Sequence, residues 1–203
     1  MQGLRLLLAQ RGYAAYAFGY PSTAHSLDEH ARRLAARINE VREPVIHLVG
    51  HSLGGLVILR YLRNHGERRV GRIVLLGTPA HGCTAARRLE NMAAGGWLLG
   101  ASRDIWHGLP EVFRPRCELG VIAGCRPWGL GRLMLRLAGT NDGVVRLDET
   151  EVPGMRDRIV LPVSHSGMLL SARVARQVAA FLARGAFDRT AAARRGVFER
   201  GRH

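Results

Sequence analysis

The apolar residues of this chain fall into short continuous runs, separated by segments in which apolar residues recur every three or four positions. Continuous runs suit strands buried on both faces of a parallel sheet, whereas the wider spacing is typical of amphipathic helices. The runs predict five strands: Tyr13–Phe18, Val45–Val49, Arg72–Leu76, Leu119–Ala123 and Arg158–Val163.

The segments between these runs predict helices. Leu4, Leu7 and Leu8 share one face of a first helix, and Ser26 with Glu29 has the capping-box pattern at the start of a second. Further helices are predicted from about Leu53 to His65 and along the apolar stripe Val174, Val178, Phe181 and Leu182. Alternating strands and helices predict an α/β fold: a three-layer α/β/α sandwich around a mostly parallel sheet, with sites at the carboxyl ends of its strands.

The chain of 203 residues is long enough for one domain with a substantial core. We predict that domain over residues 1–183, followed by a basic tail over 184–203. The long connection 81–116 is expected to form a cap-like insertion, because connections of this length usually carry helices or function. Its Trp97 and Trp106 would line an acyl pocket or pack the cap onto the body, and the sequence leaves both readings open.

The formal net charge is +14, and all 30 basic residues are arginine. The arginines are scattered, without a basic stripe interleaved with aromatics, which argues against nucleic-acid binding. The positive charge is compatible with peripheral contact with an anionic membrane surface. We expect a cytoplasmic protein, since neither a signal-peptide pattern nor an apolar run long enough for a membrane span is found. The three cysteines have no metal-ligand spacing and are expected to be free thiols.

The candidate chemistry starts at Gly50-His-Ser-Leu-Gly54, a G-x-S-x-G pattern between a predicted buried strand and a predicted helix. Such a sharp strand-to-helix turn lifts a serine hydroxyl above the sheet and is called a nucleophile elbow. The alternative is a glycine-rich loop in which Ser52 only caps the helix.

A serine hydroxyl needs a base that removes its proton. Position just past the last predicted strand favours His165 over the other histidines, including His51, which is expected to point away within the elbow. The acid that orients the base is expected to be Asp142, in a polar turn 23 residues earlier. Four other carboxylates remain rivals for that role: Asp104, Asp148, Glu149 and Glu151.

The order serine, aspartate, histidine is that of the α/β-hydrolase superfamily, and the chain resembles its bacterial lipase and esterase branch. The segments that carry the resemblance are Gly50–Gly55, Gly77–Pro79, Thr140–Gly143 and Ser164–Gly167. The resemblance implies Ser52 as nucleophile, Asp142 as orienter, His165 as general base and the Leu53 backbone N–H as an oxyanion donor. His51, Trp97 and Trp106 are candidate substrate contacts, and neither a metal nor an organic cofactor is implied.

Such proteins normally supply a second oxyanion donor from a loop after an earlier strand, which would precede the first helix of this chain. We expect that strand to lie upstream of Met1 and to belong between the strands at 13–18 and 45–49; without it, activity would be impaired. The expected reaction is hydrolysis of a carboxylic ester, with a small-molecule ester or lipid as substrate. Thioesterase or acyltransferase chemistry with the same residues, or non-catalytic binding of a lipid or partner, remain alternatives.

Overall fold

The structure is a computed structural model that describes residues 1–19, 25–66, 68–86, 115–128 and 137–190. These ranges contain four α-helices and four strands, together with short 3₁₀ helices at Asp148–Thr150 and Ser166–Leu170. In chain order the main elements are α1 (Gln2–Ala9), α2 (Leu27–Glu40), β1 (Ile46–His51), α3 (Leu53–His65), β2 (Val70–Leu76), β3 (Glu118–Gly124), β4 (Asp157–Leu161) and α4 (Ala172–Arg184).

The four strands form one parallel sheet in the order β1-β2-β3-β4. Gly50 pairs with Leu75, and Leu75 with Val121, so the carboxyl ends of the first three strands lie along one edge. Helices cover both faces, and the predicted α/β sandwich with a parallel sheet is confirmed.

The two helical layers explain why β2 is apolar at successive positions. Ile73 and Leu75 pack in the cluster that includes α2 and α3, whereas Val74 and Leu76 pack in the cluster that includes α1 and α4. All four side chains are fully buried. Each contributes roughly 1.5–3 kcal/mol through burial, so the strand is held from both sides.

Two helices begin at a serine that caps them. The Ser26 hydroxyl accepts a hydrogen bond from the Glu29 backbone N–H at the start of α2, and Ser171 accepts one from Val174 at the start of α4, both at 3.3 Å. The helix α4 ends at Gly185, whose left-handed conformation (φ 72°) suits a helix end. Beyond it, within the predicted tail, the buried Phe187 ring packs against the core at 4.9 Å from the Phe181 ring.

The predicted strand Tyr13–Phe18 is wrong, because these residues form neither a strand nor a bridge. The segment is rich in alanine, which has little preference for strands, and the Tyr13 hydroxyl donates to the Ala179 carbonyl of α4 at 3.2 Å. Within the described residues β1 therefore pairs with β2 alone and forms an edge of the sheet. The expected strand between 13–18 and 45–49 stays a prediction, and both of these segments line one cavity beside β1.

Residues 87–114, the larger part of the predicted cap, lie outside the described residues, and so do Trp97 and Trp106. The three cysteines are free thiols. Among the helices that are described, none has the length and apolar character needed to cross a membrane.

Candidate active site

Ser52 lies between the end of β1 and the start of α3 in a strained backbone conformation. Its φ is 54° and its ψ is −124°, and it is the one non-glycine residue with positive φ in the described ranges. Such a conformation costs about 1–3 kcal/mol and persists where its surroundings enforce it. The side chain makes no capping hydrogen bond to α3. This argues against the alternative in which Ser52 only caps the helix.

Two glycines make this turn sterically feasible. A Cβ on Gly50 would lie 2.7 Å from the Cα of Gly55, and a Cβ on Gly55 would lie 2.0 Å from the Oγ1 of buried Thr78. The backbone is fixed further by hydrogen bonds from the Ser52 N–H to the Leu76 carbonyl (2.9 Å) and from the Gly55 N–H to the Ser52 carbonyl (3.0 Å). The two glycines thus allow α3, β1 and the end of β2 to approach one another closely at Ser52.

Asp142 and His165 form a buried pair at the same edge of the sheet. The Oδ2 of Asp142 lies 2.8 Å from the Nδ1 of His165, and the residues are only 1% and 8% exposed. A carboxylate only accepts hydrogen bonds, so Nδ1 carries the proton and Nε2 of the neutral ring is left as an acceptor. That tautomer is the one a general base requires.

The turn around Asp142 holds its carboxylate rigidly. Its Oδ1 accepts hydrogen bonds from the backbone N–H groups of Val144 (3.0 Å) and Val145 (2.8 Å), leaving Oδ2 for His165. The backbones of the pair are joined as well, since the His165 N–H donates to the Asp142 carbonyl at 2.9 Å. The imidazole is therefore oriented from two directions.

The end of β2 joins the serine turn to this pair. A Cβ on Gly77 would lie 2.9 Å from Oδ2 of Asp142 and 3.1 Å from Nδ1 of His165, and its φ of 51° also favours glycine. The preceding residue, Leu76, accepts the hydrogen bond from Ser52. Serine, imidazole and carboxylate thus cluster around one strand end.

His51 does not point away from this cluster, contrary to the expectation from its place in the motif. Its Nε2 lies 2.9 Å from the backbone carbonyl oxygen of His165, and the two rings are 4.6 Å apart. Burial and the nearby charge of His165 lower the pKa of His51 to about 4. No sequence pattern predicts this contact, because it joins residues 114 positions apart.

The rival carboxylates have other partners. Asp148 pairs with Arg146 at 2.5 Å and Glu151 with Arg158 at 2.6 Å, both toward the surface, and Asp104 lies outside the described residues.

Buried Glu149 fastens two loops together. Its carboxylate accepts from the backbone N–H groups of Thr84 (2.6 Å) and Arg146 (2.8 Å), so it links the segment after β2 to the segment that carries Asp142. No sequence pattern predicts this structural role, because an acidic residue in a polar turn gives no sign of its burial.

Leu53 is the first residue of α3, and its side chain is buried. The first N–H groups of a helix have no partner within it, and the helix dipole adds partial positive charge there. Negative charge that develops beside Ser52 would therefore be favoured at this end of α3.

Comparison with known proteins gives the same picture over most of the chain. Residues 1–194 match the model of the Alpha/beta hydrolase family. A non-heme haloperoxidase of Rhodococcus erythropolis is 38% identical over 81 residues, which cover 36% of this chain and 29% of that protein.

Solved structures share the fold at low identity. The propeptide form of a Bacillus licheniformis lipase matches with a TM-score of 0.68 and 23% identity over 81% of this chain and 42% of its own. A metagenomic carboxyl esterase matches with a TM-score of 0.70 and 16% identity over 89% of this chain and 68% of its own. The matches thus span less than half of the haloperoxidase and of the lipase in propeptide form. On the family match, with the parallel sheet and the serine turn described above, this chain belongs to the alpha/beta hydrolase family.

Proposed function

We propose that this chain is a serine hydrolase that cleaves carboxylic esters, with Ser52 as nucleophile, His165 as general base and Asp142 as the residue that orients the base. The observation that carries the proposal is the 2.8 Å contact between Asp142 and Nδ1 of His165, beside a serine held at positive φ. An aspartate bound to Nδ1 leaves Nε2 as a proton acceptor, which is what activation of a serine hydroxyl requires.

The reaction would proceed through an acyl-enzyme. Ser52 Oγ attacks the ester carbonyl carbon while Nε2 of His165 takes the hydroxyl proton, and Asp142 stabilises the imidazolium that forms. The carbonyl oxygen becomes an oxyanion next to the Leu53 N–H at the start of α3. Collapse breaks the bond to the leaving alcohol, which takes the proton from His165.

Water completes the cycle. His165 removes a proton from a water molecule as its oxygen attacks the acyl carbon, and the carboxylic acid is released when Ser52 regains its proton. Every proton is carried by the one imidazole, so the reaction needs no other titrating group of the chain.

An ester of an acyl chain is the substrate class that we favour. The proteins of known structure with this fold include one named as a lipase and one named as a carboxyl esterase. The sequence adds the apolar segment with Trp97 and Trp106 as candidate contacts for an acyl chain.

Labelling with a fluorophosphonate probe tests the serine chemistry directly. We expect the probe to modify the wild type at Ser52 and not to modify Ser52→Ala, whereas Ser26→Ala serves as the matched control and should be labelled normally. Asp142→Asn should label about 10⁴-fold more slowly, because the amide no longer favours the correct tautomer of His165. Circular dichroism would establish that each variant is folded.

Hydrolysis of p-nitrophenyl esters of increasing acyl length then tests the substrate class. An optimum at long acyl chains supports a lipid ester, and an optimum at acetate supports a small ester. A folded wild type that neither reacts with the probe nor hydrolyses any ester would overturn the proposal in favour of a non-catalytic binding protein.

A further inference from the structure

His51, the residue directly before the proposed nucleophile, contacts the segment that carries the proposed base through its side chain. Its backbone ends β1 immediately before Ser52, and its imidazole Nε2 lies 2.9 Å from the backbone carbonyl oxygen of His165. The position of His165 relative to the serine turn is therefore fixed through a side chain as well as through the sheet.

The chemistry of the contact defines the state of the His51 ring. A carbonyl oxygen only accepts hydrogen bonds, so Nε2 of His51 carries the proton and donates it. The charged or titratable groups that act on this ring are His165, Asp142 and the α-amino group of Met1, and burial further disfavours its charged form. At neutral pH the ring is uncharged and holds its one proton on Nε2.

The ring also lies against the imidazole of His165, with centroids 4.6 Å apart and planes tilted by 47°. An uncharged aromatic ring in this position restricts rotation of His165 and adds no positive charge beside the imidazolium that forms during the reaction. A lysine or arginine in its place would repel that imidazolium.

We propose that His51 is a positioning residue for His165: its Nε2–H anchors the backbone carbonyl of residue 165, and its ring supports the imidazole in the orientation set by the bond of Nδ1 to Asp142. The role rests on the proposed function, since it acts through the base. His51 thus has a place in the proposed reaction other than substrate contact.

Two substitutions separate the hydrogen bond from the ring. His51→Gln retains an N–H donor able to reach the His165 carbonyl, whereas His51→Phe retains a flat ring and removes the donor. We expect His51→Phe to slow fluorophosphonate labelling of Ser52 by about 10- to 100-fold, the usual effect of a small misplacement of a catalytic group. His51→Gln should restore most of that rate, and with an ester substrate the loss should appear in kcat rather than in KM.

A matched pair of controls lies on the same strand. His47 accepts a hydrogen bond from the Arg72 backbone N–H at 2.8 Å and is placed toward the start of β1. His47→Gln and His47→Phe make the same chemical changes without touching His165, and both should label at the wild-type rate.

A second readout does not depend on activity. We expect the Nδ1 proton that His165 donates to Asp142 to give a separate NMR resonance, sharp in the wild type and in His51→Gln and broadened in His51→Phe. Labelling of His51→Phe at the wild-type rate with an unchanged resonance would overturn the positioning role and leave the serine hydrolase intact. An unlabelled wild type in which the resonance still depends on His51 would instead overturn the proposed function and retain the anchor.

Discussion

The dipeptide His-Ser stands at the start of two described α-helices, α2 and α3, with opposite results. At His25-Ser26 the serine has an extended backbone (φ −68°, ψ 163°), and its hydroxyl accepts a hydrogen bond from the N–H three residues later. At His51-Ser52 the serine has φ 54° and ψ −124°, and its hydroxyl makes no bond to the helix. The same two residue types thus cap one helix and leave the hydroxyl uncommitted at the other.

The surroundings of the two serines explain the difference. Ser26 follows a bend at His25 and faces solvent, so its backbone is free to take the conformation in which capping satisfies an N–H group. Ser52 follows directly on β1 with no loop between strand and helix, and Gly50 and Gly55 bring the backbones into contact. Helix capping stabilises the fold, whereas the strained turn gives up that stabilisation and leaves the hydroxyl available for chemistry.

The largest effect that separates the two helix starts is expected at the third residue after each serine. Gly55→Ala should lower the free energy of unfolding by about 3 kcal/mol or more, because the new Cβ would lie 2.0 Å from Oγ1 of Thr78. Glu29→Ala, at the corresponding place in α2, should change stability little, because Glu29 faces solvent and its ion pairs with arginines are exposed. Urea unfolding followed by circular dichroism measures both.

Gly19→Ala is the control for the glycine substitution itself, because the structure leaves its Cβ in open space. Should Gly55→Ala unfold at the same urea concentration as Gly19→Ala, close packing at the elbow would not be what holds Ser52 at positive φ.

The next effect concerns the histidine in front of Ser52. The pKa of His51 is about 4 in the folded protein, because of burial and the charge of His165, and about 6.5 in an unfolded chain. Between these values the unfolded chain binds a proton that the folded protein does not. Acid therefore favours unfolding, and stability should fall as the pH drops from about 6.5 to about 4, by at most about 3 kcal/mol.

His51→Gln isolates this contribution, since glutamine does not titrate. Unfolding free energies measured at pH 7, 5.5 and 4.5 should decline more steeply for the wild type than for the variant. Parallel pH curves for the two proteins would mean that the His51 ring is protonated as easily in the folded state as in water.

Much of this contrast could be predicted from local sequence, and the rest depends on contacts between distant segments. The capping pattern of Ser26 and Glu29 is local, and so is the apolar strand directly before Gly50, so the predicted start of α2 and the predicted bounds of α3 agree with the observed ones. The segment 13–18 was misassigned because its apolar residues fit a strand, while the hydroxyl of Tyr13 finds its partner on α4, 166 residues away.

The candidate site shows the same division. Asp142 and His165 could be placed because each follows a strand, and parallel strands bring their carboxyl ends together. The contact of His51 with the His165 carbonyl joins residues 114 positions apart. The hydrogen bond from the Thr84 N–H to Glu149 joins residues 65 positions apart. His51 occupies the first variable position of the G-x-S-x-G motif and Glu149 stands in a polar turn. Neither placement predicts these contacts, so only the folded arrangement reveals them.

The smallest effect is expected at the capping serine. Ser26→Ala removes the acceptor of the Glu29 N–H and should destabilise the protein by about 0.5–1 kcal/mol, since the bond is long at 3.3 Å and exposed to water. Ser26→Gly should lower the free energy of unfolding by only about 0.2–0.4 kcal/mol, because glycine lets water reach the same N–H group. If both variants react with fluorophosphonate at the wild-type rate while their stabilities differ in this order, then Ser26 contributes to stability and Ser52 to the chemistry. Slowed labelling of Ser26→Ala would show instead that the start of α2 supports the turn at Ser52, because α2 packs against α3.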